Sequence, residues 1–256
     1  MFNNIPPITR NLIIINIIVY IISNFFLYAL NNPQLYNLLS AFYPFSPNFK
    51  SWQIITHMFM HAPLEGGVGI MHILFNMFTL YSFGPILEQS LGDKKYLILY
   101  FLSGLGAFFL FNLWNFIEIQ QISNSLQPLG VDVTEIYRQA DVNYAGNIFL
   151  NNKTPEIFDL SKKLLIDLKS PMLGASGAIF GIIAAFATLY PEARIGIMFI
   201  PIPVKVKYVL PVVVIGSIYL GITGNGGGVA HLAHVGGAIV GYILAIIWKK
   251  HLYRFN

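Results

Sequence analysis

Cysteine is absent from the 256 residues. That removes disulfides, thiolate zinc sites and cysteine nucleophiles. Charge is scarce as well. Asp, Glu, Lys and Arg make up 10% of the chain, where a soluble domain carries about a quarter. With 55% hydrophobic residues and a mean hydropathy of +0.63, a membrane protein is expected rather than a soluble globular one. The net charge is +4, but the cations sit in short clusters, so nucleic acid is not an expected partner. Acids stop at Glu192. A carboxylate serving any site in the last quarter would have to come from a distant loop. The His-Glu-x-x-His pattern of zinc proteases is missing too.

What is present is long apolar sequence. A spanning helix needs about 20 mostly apolar residues. Six runs qualify: Asn11–Leu30, Ile70–Leu87, Tyr96–Phe116, Met172–Tyr190, Tyr208–Thr223 and Val229–Trp248. Arg10 is the one cation before the first run, and no small-residue cleavage pattern follows at the right distance, so the run reads as a retained helix rather than a signal peptide. Between the fourth and fifth, "IGIMFIPIPV" is too short to span and is broken by Pro201 and Pro203, which suggests an interfacial segment. With the N-terminus in the cytoplasm, the inner segments hold nine cations and three acids, the outer ones six cations and eight acids. Five of the outer cations lie in the long loop Ile117–Pro171, and long loops count little. The expected fold is therefore an all-α membrane bundle of six helices, N-in and C-in. Within the long loop, "IFDLSKKLLIDLKS" suits an amphipathic helix on the outer membrane surface. An unstructured linker fits it equally.

Polar residues inside a membrane are costly and ask for a reason. Helices two, four and six all start on the outer side in this topology. Near their starts lie His72 and Asn76, Ser176, and His231 and His234. Three segments far apart in sequence thus bring polar groups to a similar depth. Residues 171–182, "PMLGASGAIFGI", set Ser176 between small residues. Taken alone, "GASG" is a packing motif. Serine becomes a nucleophile when a base takes its proton, and histidine is the usual base. Gly174, Gly177 and Gly181 on helix four, with Gly237 and Gly241 on helix six, have the small-residue spacing that allows close approach. His234 shares the Gly237/Gly241 stripe, which favours it over His231 as the base. His72 and Asn76, four apart, and the first-turn N–H groups of helix four are candidate donors to an oxyanion. A dyad is expected rather than a triad. Phe180, one turn after Ser176, is placed to pack on the imidazole. His57 and His61 in "HMFMH" suggest a metal, but no acid lies within a turn of any intramembrane histidine. They read as structural, and no metal or cofactor is expected.

The segments "GASGAIFG", "AHLAHVGGAIVG", "HILFNMFTL" and "WQIITHMFMH" resemble the rhomboid intramembrane serine proteases, from about Trp52 to Trp248. The resemblance implies Ser176 as nucleophile and His234 as general base. It implies His72, Asn76 and backbone N–H groups near Ser176, with Ala175 among them, as the oxyanion site. It further implies a single domain over 1–256, with a core of about 52–248 and an extramembrane insertion of about 117–171. Trp52 to His61 would form a membrane-embedded hairpin. Helix five and the loop "TGNGGG" would act as gate and cap. Substrates would be single-pass membrane proteins cut near the outer face, and the location the cytoplasmic (inner) membrane of a bacterium. The sequence departs from the family at Gln53, where an arginine is usual, in the long link from His61 to His72, and in the insertion. A non-catalytic relative that binds or escorts membrane proteins is the alternative. A histidine proton relay in a transporter ranks last, since no repeat is evident.

Overall fold

The first helix, α1 (Pro7–Asn24), starts with proline at its first position, where the missing N–H costs nothing. It runs into a π-helical turn, Phe25–Ala29. In the computed structural model, which describes residues 5–65, 68–151, 153–197, 200–223 and 230–252, there follow α2 (Gln34–Leu39), α3 (Gln53–Thr56) and α4 (Val68–Leu91). Then come α5 (Asp93–Leu126), α6 (Val133–Gln139), α7 (Pro155–Lys169) and α8 (Ser176–Leu189). The chain continues through β1 (Arg194–Ile197), β2 (Ile200–Lys205), α9 (Val206–Thr223) and α10 (His231–Leu252). Among the described residues, five helices are long and apolar enough to cross a membrane: α1 with its π turn, α4, α5, α9 and α10.

The expected fourth span is shorter than its apolar run. Helix α8 begins at Ser176, not Met172, and has 14 residues. At 1.5 Å per residue it is about 21 Å long, short of the ~30 Å hydrocarbon core. Charged Glu192 and Arg194 follow its C-terminal end, and Ser176 is its first residue. The third helix errs the other way: α5 has 34 residues, about 51 Å, longer than that ~30 Å layer is thick. The segment read as interfacial is the antiparallel hairpin β1–β2, with Arg194 paired to Lys205. Glu192 accepts hydrogen bonds from Lys205 and Lys207, which lower its carboxyl pKa to about 2.

The overhang of α5 explains the long loop. Ile157, Ser161, Leu164, Leu165 and Leu168 line one face of α7 and are buried, as the 3.6-residue period requires. That face meets Ile119, Ile122 and Leu126 of α5, Ile136 of α6, Ala140 just after α6, and Tyr43. The amphipathic reading holds, but protein rather than membrane covers the apolar face. Each buried Leu or Ile contributes roughly 1.5–3 kcal/mol, enough to order what composition leaves as a linker. Thr154 and Asp132 cap α7 and α6, and Lys163 pairs with Glu118 at 2.8 Å.

Glu88, near the end of α4, has a role that its sequence position hides. Its carboxylate accepts from Ile8 N (2.8 Å), Thr9 N (2.7 Å) and Thr9 Oγ1 (2.7 Å), and it is 2% exposed. Those N–H groups belong to the first turn of α1, which has no capping side chain of its own. A neighbouring helix thus supplies the cap and the negative charge favoured at that end. Glu88→Ala is expected to destabilise the bundle by roughly 2–3 kcal/mol, read as a lower melting temperature in detergent. An unchanged melting temperature would show that the cap is dispensable.

Candidate active site

Glycine decides how closely α8 and α10 approach. A methyl group at Gly237 would run into the carbonyl of Gly177, and one at Gly241 into that of Gly181. Helix α5 joins the same contact. Gly181 lies against Ser103, Gly177 against Ala107, and Gly106 against Gly236. Three helices therefore meet backbone to backbone, the packing that small residues permit in lipid. This close approach brings Ser176, the first residue of α8, to His234, one turn into α10. Ser176 Oγ and His234 Nε2 are 3.0 Å apart. Phe180, on the next turn of α8, stacks on the His234 imidazole with ring centroids 4.2 Å apart and planes at 5°. His231 lies edge-on to His234 at 5.9 Å.

The other side of Ser176 is built around Gly174. This residue precedes α8 rather than lying in it, as the sequence suggested, and its φ is +124°, a conformation glycine adopts without strain. The space a Cβ would fill is flanked by His72 Nε2 at 3.1 Å and Ser176 Oγ at 3.6 Å. Ala62 N donates to His72 Nδ1 at 3.2 Å. A backbone amide only donates, so Nδ1 carries the lone pair and the neutral ring bears its proton on Nε2. That N–H faces the space beside Gly174. Ile179 N bonds to Ala175 O at 3.0 Å, so the N–H groups of Ala175, Ser176, Gly177 and Ala178 have no carbonyl partner within the helix. No side chain caps them. Asn76 stands one turn beyond His72, but its amide donates to the His72 carbonyl at 2.7 Å, leaving one amide hydrogen for other use.

Below this site, the segment from Ala41 to His61 supports the entry to α8. Ala41 and Met172 exchange two backbone hydrogen bonds, of 2.9 and 2.7 Å, and Gly174 N donates to His57 O at 3.0 Å. The His57 ring donates from Nδ1 to Gln53 O at 2.8 Å and packs on Phe108. Gln53, where the family usually has arginine, is fully buried. Its side chain bonds to the backbone of Lys50, Asn37 and Asn48 at 3.0, 3.1 and 3.3 Å, so an amide ties the start of α3 to the end of α2 and to the loop before α3. Trp52 donates to Leu38 O at 2.8 Å. His61 hydrogen-bonds Asn16 of α1 at 2.9 Å. Sequence reasoning missed Asn16, Glu88 and the role of Gln53. Asn16 had a signal, an isolated amide in an apolar run; Glu88 read as an ordinary loop acid. The supposed cap loop lies, from residue 224, outside the described residues. No grouping of three potential metal ligands occurs among the described residues.

An all-α integral membrane protein with a serine–histidine pair recessed in its helical bundle is the class that fold and site define. The Rhomboid domain family matches residues 48–117 and 148–251, and the chain belongs to that family. The chain is 28% identical over 246 residues to "Rhomboid protease AarA" of Providencia stuartii, covering 94% of this chain and 72% of that protein. It is 28% identical to "RHOMBOID-like protein 12, mitochondrial" of Arabidopsis thaliana, covering 81% and 50%. To "Rhomboid-like protease 3" of Toxoplasma gondii it is 35% identical, covering 35% and 32%. The chain thus matches half or less of the length of the last two.

Proposed function

We propose that the chain is an intramembrane serine endopeptidase that cleaves transmembrane segments with a Ser176–His234 dyad. The observation that carries this reading is the 3.0 Å approach of Ser176 Oγ to His234 Nε2, at the recessed N-terminus of an otherwise apolar helix. His234 Nε2 takes the Ser176 proton as Oγ adds to the scissile carbonyl, and returns it to the leaving amine. A water then adds to the acyl-serine, with His234 again as base, and releases the carboxylate and free serine. The oxyanion that forms in each half faces the His72 Nε2–H and the uncapped N–H groups at the start of α8, Ala175 and Ser176 included, where the helix dipole also favours negative charge. Asn76 contributes its remaining amide hydrogen. No acid follows Glu192 to pair with the imidazolium. The parallel Phe180 ring takes that part, by a cation–π contact of about 0.5–2 kcal/mol.

Six membrane crossings, N-in and C-in, accompany this reading, with α8 as the shortest crossing and the site opening outward. Helix α9 has only Val206 and Ser217 buried, which suits a lateral gate for a substrate helix. The chain acts as one domain with the insertion on the outer side. A bacterial cytoplasmic membrane remains our proposed location, although relatives such as the Arabidopsis protein are named mitochondrial. Non-catalytic escort is the second reading, since the family match alone does not require chemistry.

The test is the full chain in proteoliposomes with a single-pass membrane protein that has helix-weakening residues and a small residue near the outer face. Ser176-dependent cleavage and labelling of Ser176 by a fluorophosphonate are expected. Cleavage that survives in Ser176→Ala would overturn the dyad. Substrate binding without cleavage or labelling would favour escort.

A further inference from the structure

A buried polar chain begins on α1, an element that touches neither Ser176 nor His234 in any hydrogen bond described above. Asn16 is fully buried, and its amide donates to Leu12 O at 2.8 Å. A carbonyl only accepts, so this bond fixes the amide orientation and turns Oδ1 toward His61 Nε2, 2.9 Å away. Oδ1 in turn only accepts, so His61 carries its proton on Nε2. The next residue, Ala62, supplies the N–H that bonds His72 Nδ1 at 3.2 Å and thereby leaves the His72 proton on Nε2, toward the space beside Gly174. The His61 and His72 rings meet edge-on, with centroids 5.2 Å apart.

Two further contacts hold the same stretch to α1. Leu64 N donates to Asn24 Oδ1 at 2.9 Å, and Tyr20 packs edge-on to His61. Asn16, Tyr20 and Asn24 lie four residues apart and so share one face of α1. His61 Nδ1 is left buried without a partner. A buried polar atom with no partner is costly, which argues that the arrangement is kept for what it orients.

We propose that Asn16 is a positioning residue for the oxyanion site. It holds His61, and through Ala62 it fixes the tautomer and aim of His72. The link from His61 to His72 is long and glycine-rich in sequence, so this segment needs an anchor outside itself, and α1 provides it. The inference rests on the protease reading for its activity readout, but not for its spectroscopic one.

Four variants of the full chain test it: Asn16→Ala, Asn16→Asp (which keeps an acceptor oxygen), His72→Ala, and Asn16→Ala with His72→Ala. Asn16→Ala is expected to lower kcat on the order of 10- to 100-fold with KM changed less than about twofold. Asn16→Asp should recover most of the loss. In the His72→Ala background, Asn16→Ala should add less than about twofold, because both act through one group. Independently of activity, ¹⁵N-histidine NMR should show the Nε2–H tautomer of His72 in the parent chain and a mixture in Asn16→Ala. Losses that multiply in the double variant, or that track a fallen melting temperature without recovery in Asn16→Asp, would overturn the proposal. So would an unchanged His72 tautomer in Asn16→Ala. A parent chain that does not cleave but shows this tautomer change would sink the protease reading and leave the positioning intact.

Discussion

His234→Ala is expected to lower kcat on the order of 10³- to 10⁵-fold, with little change in KM. Without Nε2 at 3.0 Å from Oγ, the Ser176 proton has no acceptor and the hydroxyl stays a weak nucleophile. The substitution leaves α9, the proposed gate, intact, so binding should survive. His231 is three residues earlier on the same helix, with its ring edge-on to His234. Serine and base act as one unit, so Ser176→Ala in the His234→Ala background should cost little more. Single-turnover cleavage in proteoliposomes reads these rates. A loss below tenfold for His234→Ala, or a larger loss for His231→Ala, would transfer the base to another group.

Gly237→Val should abolish activity by a different route. The new Cβ would occupy the place of the Gly177 carbonyl, and a helix backbone cannot swing aside as a side chain can. Helices α8 and α10 must separate, and Ser176 and His234 separate with them. Overpacking of this kind costs about 1–3 kcal/mol or more, and each ångström of misplacement at a reacting pair costs on the order of 10²-fold in rate. Both melting temperature and cleavage should therefore fall, although the valine touches no substrate. Gly196→Ala in β1, away from the proposed gate, is the control, because a Cβ there meets nothing within 4 Å; it should leave both unchanged. Full activity in Gly237→Val would mean that the dyad does not depend on the glycine contact.

Read as sequence, the candidate site was legible where polar side chains are rare. Ser176, His72 and His234 stand out because a hydroxyl or an imidazole in an apolar run is costly wherever it faces lipid. The glycine spacing on the fourth and sixth runs pointed to the contact that the structure contains. Gly174 was misjudged as one more packing residue, because a positive φ leaves no trace in a small-residue pattern. Asn16 and Glu88 were passed over for a related reason. The value of a hydrogen-bonding side chain is set by its partner, and theirs lie 45 and about 80 residues away. The length of α8 was overestimated because hydropathy measures solvent preference, and Met172 and Leu173 are apolar whether helical or not.

By itself, the sequence determined the solvent class, the number and order of apolar runs, the absence of any late carboxylate, and the polar side chains proposed for acyl chemistry. These are local properties, fixed by composition and period. Only the tertiary structure decided that α8 starts at Ser176, that protein covers the apolar face of α7, that the Ala62 N–H meets His72 Nδ1, and that a carboxylate from α4 caps α1. Each of these depends on a distance between groups far apart in the chain, and such distances exist only once the helices have packed.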